Sequence, residues 1–225
     1  VVPAVLIALV FGVLVNRGVD QWFSTNVRSA VENGAEIGRA YIKQISGTLA
    51  DGVLVLHTGI SATEILELRG GRRSPLVLAS VETTDFPDSV PQVVVDFRLA
   101  GKIAGQHLIE LGHRQIGVIV GNGCDGTHSL RLEGFQDALA DAGVSLDQRD
   151  VRYVLDSIAG GYQTVCELIE ANPALTAIYA TNDLLAYGAT QALADRGIAV
   201  PEAMSIVGVT NIQLTQEMRP PLTTV

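Results

Sequence analysis

The chain has 225 residues, which allows one large α/β domain or two lobes, and either can bury a sizeable core. Its formal net charge of -9 repels phosphate backbones, so this stretch does not grip DNA or RNA by itself. Cys124 and Cys166 without C-x-x-C spacing, and four scattered histidines without H-E-x-x-H, point to neither a disulfide framework nor a zinc site.

Residues 1–15, VVPAVLIALVFGVLV, contain no polar side chain. The run is shorter than the roughly 18–20 residues that span a bilayer. It reads as an apolar helix, either the end of a longer membrane segment or a buried core element. It has neither the basic n-region nor the cleavage site of a signal peptide. Residues 19–44 change character: Val27, Val31, Ala35, Ile37 and Tyr41 recur near helical spacing with charges between them, as in an amphipathic helix. Trp22 and Phe23 at its start suit a membrane interface or plain core packing. These features define a first segment, 1–48.

From residue 52 onward apolar runs without alternation appear: DGVLVL (51–56), SPLVLAS (74–80), QVVVD (92–96), QIGVIVG (115–121), DVRYVLD (150–156), LTAIYATN (175–182) and MSIVGVT (204–210). Such runs read as strands buried on both faces of a parallel sheet. Helical stripes lie between them. Leu99, Ile103, Leu108 and Leu111 precede Gly112; Leu132, Phe135, Leu139 and Ala142 precede Gly143; Leu185, Ala189, Ala192 and Leu193 precede Gly197. Each glycine suits the left-handed position that ends a helix. The alternation predicts βαβ units in doubly wound α/β layers.

Gly121-Asn122-Gly123-Cys124-Asp125-Gly126 spells G-x-G-x-x-G between a strand and a helix, the layout of a dinucleotide-binding turn. Two features count against that reading. The next strand ends at Asp156, well past the roughly 20 residues at which a ribose-binding acid is expected. The helix starts near Thr127, after the third glycine instead of around it. No cofactor and no metal are expected.

Loops after parallel strands remain the place where open α/β sheets bind ligands. The first such loop offers Asp125, Thr127, His128, Ser129 and Arg131; the second Asp156 and Ser157; the third Thr181, Asn182 and Asp183; the fourth Thr210 and Asn211. Fixed donors and acceptors converging at one edge suit a small polar ligand such as a sugar, with Arg131 able to bond bidentately. Plainer roles stand beside these: Asn182-Asp183 as a helix cap, Arg131 as a surface charge, and His107 and His113 as structural groups near a helix C-terminus. No Ser-His-Asp or Cys-His arrangement, metal cluster or P-loop supports an enzyme.

VVPAVLIALVFGVLVNRGVDQWFS and VRSAVENGAEIGRAYI resemble the N-terminal region of NtrY-type sensor histidine kinases. That resemblance implies a membrane helix running into a sensor helix, with membrane contact by residues 1–23. DGVLVL, VVVDFRLAGKIAGQHLIELGHRQIGVIVG, SLRLEGFQDALADAGV, AIYATNDLLAYGATQALADRGIAVPEAMSIVGV and RPPLTTV resemble, in order and spacing, the effector-binding core of the lactose-repressor (LacI) family of transcription regulators. This resemblance covers about residues 49–225. It implies a periplasmic-binding-protein-like type I fold, two lobes of doubly wound parallel sheet closing on a ligand, with a hinge at Asp96. Residues 49–97 then form a partial first lobe, and 98–225 the crossover and second lobe.

By that resemblance Arg131 of R-L-E-G-F and Asn182 of T-N-D face the ligand. Asp156 stands where the family often has an aromatic residue, and Thr210-Asn211 stand where it reads Asp-Asp. Losing that carboxylate counts against sugar binding in the family's usual manner. The family's helix-turn-helix, early first-lobe elements and segment beyond PPLTTV are expected to be missing, as at a junction of two unrelated proteins. The resulting expectation is a binding module: Arg131, Asn182, Asp183, Asp156, Thr210, Asn211, Thr127 and Ser129 around a sugar or purine-like effector. The full-length family implies a homodimer that reaches DNA only through the helix-turn-helix, in the cytoplasm. The rival readings are an exported solute receptor and a membrane sensor fragment.

Overall fold

The computed structural model describes residues 53–56, 67, 75–79, 90–122 and 126–225. The apolar and amphipathic helices expected over 1–44, and Asp125 of the first loop, lie outside the described residues. No helix among the described residues is long and apolar enough to cross a membrane. The chain divides into two compact units between Val95 and Asp96, beside the residue expected to act as a hinge.

Three parallel strands are described in the first unit: β1 (Val53–Leu56), β2 (Leu76–Ala79) and β3 (Gln92–Val93), in that order across the sheet. Val55, Leu76, Leu78 and Val90 are buried. The run 92–96 departs from its expected burial. Only two of its residues pair, and Val93, Val94 and Val95 are all exposed. Among the described residues β3 bonds only to β2, so its side chains are not enclosed from both directions.

In the second unit, parallel strands stand in the order β5-β4-β6-β7-β8: β4 (Ile116–Gly121), β5 (Val151–Val154), β6 (Ala177–Ala180), β7 (Ser205–Gly208) and β8 (Thr223–Thr224). Every residue of β4 and β6 is buried, as the unbroken apolar runs predict. Strand β5 differs from that expectation, because it forms the sheet edge and leaves Tyr153 and Leu155 exposed. The chain leaves β4 for β5 on one side and returns to β6 on the other, so the order reverses between β4 and β6.

Helices α1 (Phe97–Glu110) and α2 (Thr127–Asp141) cover one face of this sheet. There Ala104, Leu108, Leu132, Phe135 and Leu139 pack on Val118, Val120, Tyr179 and Val207. Helices α3 (Ile158–Ala171) and α4 (Asp183–Asp195) cover the other, with Val165, Leu168, Leu185, Ala189 and Leu193 against Ile119, Ile178, Ala180 and Ile206. A short helix α5 (Gln213–Gln216) precedes β8. The glycines predicted to end helices, Gly112, Gly143 and Gly197, all have positive φ.

The expected apolar stripe of α1 is corrected by the structure. Only Leu108 is buried, while Leu99, Ile103 and Leu111 are exposed and the inner face is Gly101, Ala104, Gly105 and Leu108. Close helix approach explains the choice. A Cβ on Gly101 would lie 1.9 Å from the Arg131 carbonyl oxygen, and one on Gly134 would lie 1.8 Å from that of Arg98. Helices α3 and α4 repeat the device, with Gly161 against the Leu185 carbonyl at 2.1 Å and Gly188 against that of Ile158 at 1.9 Å. A face of small residues lets two backbones touch; a leucine face could not.

His113 is structural, as expected. Nδ1 lies 2.9 Å from Thr176 Oγ1 and Nε2 lies 3.0 Å from Ser205 Oγ, so one ring ties the starts of β6 and β7 together. Partial burial, then the neighbouring His107, hold its pKa below the ordinary value. Gly134→Ala should destabilise the second unit by about 3 kcal/mol or more, beyond the usual cost of overpacking, because the obstacle is backbone. Gly143→Ala, where a Cβ meets open space but φ is positive, should cost about 1–2 kcal/mol. Urea denaturation of the two variants measures the difference, and equal costs would contradict the packing argument.

Candidate functional site

The carboxyl ends of β4, β5 and β6 bring polar side chains together at the reversal of strand order, the position at which open α/β sheets place ligands. Strand β4 ends at Gly121, and α2 begins only at Thr127 behind Gly126, which has φ +74°. The third glycine of G-x-G-x-x-G thus precedes the helix. Gly121 is small for a different reason than phosphate approach: a Cβ there would lie 2.5 Å from the His128 ring.

His128 is 6% exposed and sits in a chain of hydrogen bonds. Thr181, fully buried at the end of β6, accepts the Gly121 N–H at its hydroxyl oxygen (3.0 Å). That oxygen is 2.7 Å from His128 Nδ1, and His128 Nε2 is 3.5 Å from an Asp156 carboxylate oxygen. The ring thus bridges the Thr181 hydroxyl at Nδ1 and the Asp156 carboxylate at Nε2. Asn182 donates to the other Asp156 oxygen, while its own side-chain oxygen accepts the Leu185 N–H at 3.0 Å. Asn182 therefore caps α4 and holds Asp156 at once.

Arg131 is not a surface charge. It is 6% exposed, its Nη1 donates to the Thr181 carbonyl at 2.8 Å, and its guanidinium lies 4.7 Å over the Phe97 ring. Tyr179 Oη donates to the Arg131 carbonyl at 3.4 Å, and its ring stacks on Phe135 with centroids 4.2 Å apart. Burial raises the Tyr179 phenol well above its ordinary pKa, so it remains a donor. Burial alone would also raise the Asp156 carboxyl. The bonds from His128 and Asn182, with the charges of His128 and Arg131, outweigh burial and hold Asp156 below its ordinary value. Its side chain is 32% exposed, so a fixed carboxylate faces outward from the network.

The other expected residues are placed differently. Asp183 is fully buried; one carboxylate oxygen accepts the Ile212 N–H at 2.9 Å and the other the Thr224 hydroxyl at 2.7 Å. That makes it a tie between α4 and the β7 and β8 ends, not a group open to a ligand. Thr210 and Asn211 are exposed on the loop after β7 at φ 117° and 47°. Thr210 donates its N–H to Val225 O at 2.9 Å, and Asn211 its N–H to Thr224 Oγ1 at 3.2 Å. A β-branched residue at φ 117° is strained, and such strain clusters at functional sites. Thr127 and Ser129 lie on the first turn of α2, with Ser129 exposed. Asp96 caps α1, accepting the Leu99 N–H at 2.8 Å. Phe97 under Arg131 was not read from the sequence, and its one signal is its position directly after Asp96, the residue expected to act as a hinge. Among the described residues no group of His, Cys, Asp and Glu is arranged to hold a metal ion.

A doubly wound parallel sheet whose polar loops converge at its switch point is the architecture of a small-molecule binding module. The chain belongs to the family described as periplasmic binding proteins and sugar binding domain of LacI family, which matches residues 27–224. The match begins upstream of residue 49, inside the stretch that resembles the kinase segment. The chain is 34% identical to the HTH-type transcriptional regulator DegA of Bacillus subtilis over 81% of its own length and 52% of that protein. It thus spans about half the length of that relative. Among solved structures, the Escherichia coli transcriptional repressor ascG superposes with a TM-score of 0.75 at 28% identity, covering 85% of this chain and 69% of that one. A transcriptional regulator CelR–cellobiose complex does so at 0.70 with 30% identity, covering 84% and 57%. The chain is accordingly a LacI-type effector-binding domain.

Because the folded Asp156 carboxyl titrates below 3.8, the unfolded chain takes up the proton first as pH falls. The stability that the network contributes is complete above that value and is lost below it. Asp156→Asn should flatten this part of the acid-unfolding profile, measured by urea denaturation from neutral pH to below 3.8. A profile as steep as the wild type's would remove Asp156 from the network.

Proposed function

We propose that the second unit senses a small hydroxyl-bearing effector, a sugar or a purine-like compound, through Arg131, Asp156 and Asn182. The carrying observation is the Asp156 carboxylate, fixed by His128 and Asn182 and still one-third open. A preorganised acceptor of this kind suits ligand hydroxyls or N–H groups. It also offers an acceptor on the second loop where the fourth carries Thr210 in place of an acid. The cellobiose in one structural relative is the same ligand chemistry. Thr210 and Asn211, with Thr127 and Ser129, complete the rim.

The site acts as a binding module and not as an enzyme. The hydroxyl of Thr181, the one beside the histidine, is fully buried and hydrogen-bonded, so no substrate reaches it. Effector binding shifts the balance between open and closed lobes about Asp96 and so changes the geometry of a homodimer. DNA is reached through a helix-turn-helix carried elsewhere in the regulator, in the cytoplasm. The regulator relatives favour this reading over an exported receptor.

A thermal-shift screen against sugars, nucleosides and purines identifies the effector class. Arg131→Ala and Asn182→Ala should each weaken binding about tenfold to a hundredfold in calorimetric titration, the worth of a charge-assisted or buried hydrogen bond. Circular dichroism should show the second unit folded in both. Unchanged affinity in both variants would overturn the site.

A further inference from the structure

At the opposite end of the same sheet lies a second feature, outside the effector site. A cavity of about 550 Å³ opens where β4 and β5 begin, lined by Arg114, Gln115, Ser145, Arg149, Arg152 and Asn172 together with Asp147 and Asp150. Its volume falls in the range of small-molecule sites. Three guanidiniums meet there in a chain whose 15 basic residues face 24 acidic ones.

The bonding at this end separates the arginines. Arg149 is committed: Nε and Nη2 grip Asp147 at 3.1 and 2.7 Å, and the pair holds the Asp147 carboxyl down at about 2. Asp150 is buried and accepts from Asn172 Nδ2 at 2.9 Å. Among the described residues Arg114 and Arg152 are instead bonded through Nη1. Arg114 Nη1 donates to the Ile109 and His113 carbonyls, at 3.3 and 2.8 Å. Arg152 Nη1 donates to the Arg149 and Val151 carbonyls. Backbone carbonyls cancel no charge. Each guanidinium is thus anchored at one nitrogen while keeping its full charge and its remaining N–H donors. Anchoring lowers the entropy that a flexible arginine loses on meeting an oxyanion.

We propose that this cavity binds a small phosphate-bearing molecule, with Arg114 and Arg152 taking the phosphoryl oxygens. Guanidinium forks match tetrahedral oxyanions bidentately. Ser145 and Gln115 offer neutral bonds to an attached polyol. The net charge of the chain repels a nucleic-acid backbone. The site is independent of the effector reading and would give the domain a second ligand input.

The test uses the whole chain and two probes, inorganic phosphate and glycerol 3-phosphate, titrated at constant ionic strength while backbone amide resonances are recorded. Saturable shifts confined to the segments around Arg114, Ser145, Arg152 and Asn172 are expected. Arg114→Gln should weaken them about tenfold or more with the fold intact, the worth of a lost charge-assisted bond. Arg152→Gln should do the same, and Arg114→Gln stands alone if that variant fails to fold. Saturation by phosphate alone identifies the free ion, and tighter binding of glycerol 3-phosphate identifies a phosphate ester. Non-saturating shifts, shifts spread over the surface, or equal titration of wild type and Arg114→Gln would overturn the proposal.

Discussion

The architecture of the second unit turns on backbone-to-backbone contact between helices, made possible by single glycines. Gly101 rests on the carbonyl of Arg131, and Gly134 returns the contact to Arg98. The height of α2 above the sheet is fixed by that pair, and with it the position from which Arg131 reaches the Thr181 carbonyl. On the other face, Gly161 rests on Leu185, the residue whose N–H is capped by Asn182. Helix packing and site geometry are therefore one constraint. A methyl group at Gly101 or Gly161 would press on Arg131 or Leu185, disturbing the polar network as well as loosening the core.

The surface salt bridges of α1 and α2 follow from this arrangement and do not create it. Arg98 meets Asp137 at 2.8 Å and Lys102 meets Asp141 at 2.8 Å, all of them exposed. Such pairs contribute about 0–1 kcal/mol each. The glycine contacts instead let Phe135 and Leu139 reach the sheet, where Phe135 stacks on Tyr179. Burying side chains of that size contributes about 1.5–3 kcal/mol apiece, which decides the ranking of the two effects.

Strand runs and helix-ending glycines were legible because they are local. The burial of β4 and β6 and the positive φ of Gly112, Gly143 and Gly197 need only a short window of residues. The inner face of α1 was not legible, because leucine spacing pointed to Leu99 and Ile103, whereas the deciding quantity was the separation from α2. Strand position in the sheet was equally hidden. DVRYVLD has the same texture as QIGVIVG, yet one becomes an edge and the other an interior strand. At the site, Asn182 bonds Asp156, and Arg131 lies close enough to act on it, while Asp183, adjacent to Asn182 in sequence, turns into the core to bind Ile212 and Thr224. Neighbours at a helix start point about 100° apart, and sequence alone does not say which one faces the cleft.

The electrostatics of the network bear on which ligands it can admit. Against burial, the hydrogen bonds from His128 and Asn182, then the charges of His128 and Arg131, hold the Asp156 carboxyl below its ordinary value, so it stands as a carboxylate held by donors. Admitting a ligand with a net charge would leave that charge uncompensated in a partly desolvated place, at substantial cost. A neutral, hydrogen-bonding ligand displaces water from the open side of Asp156 without disturbing the balance.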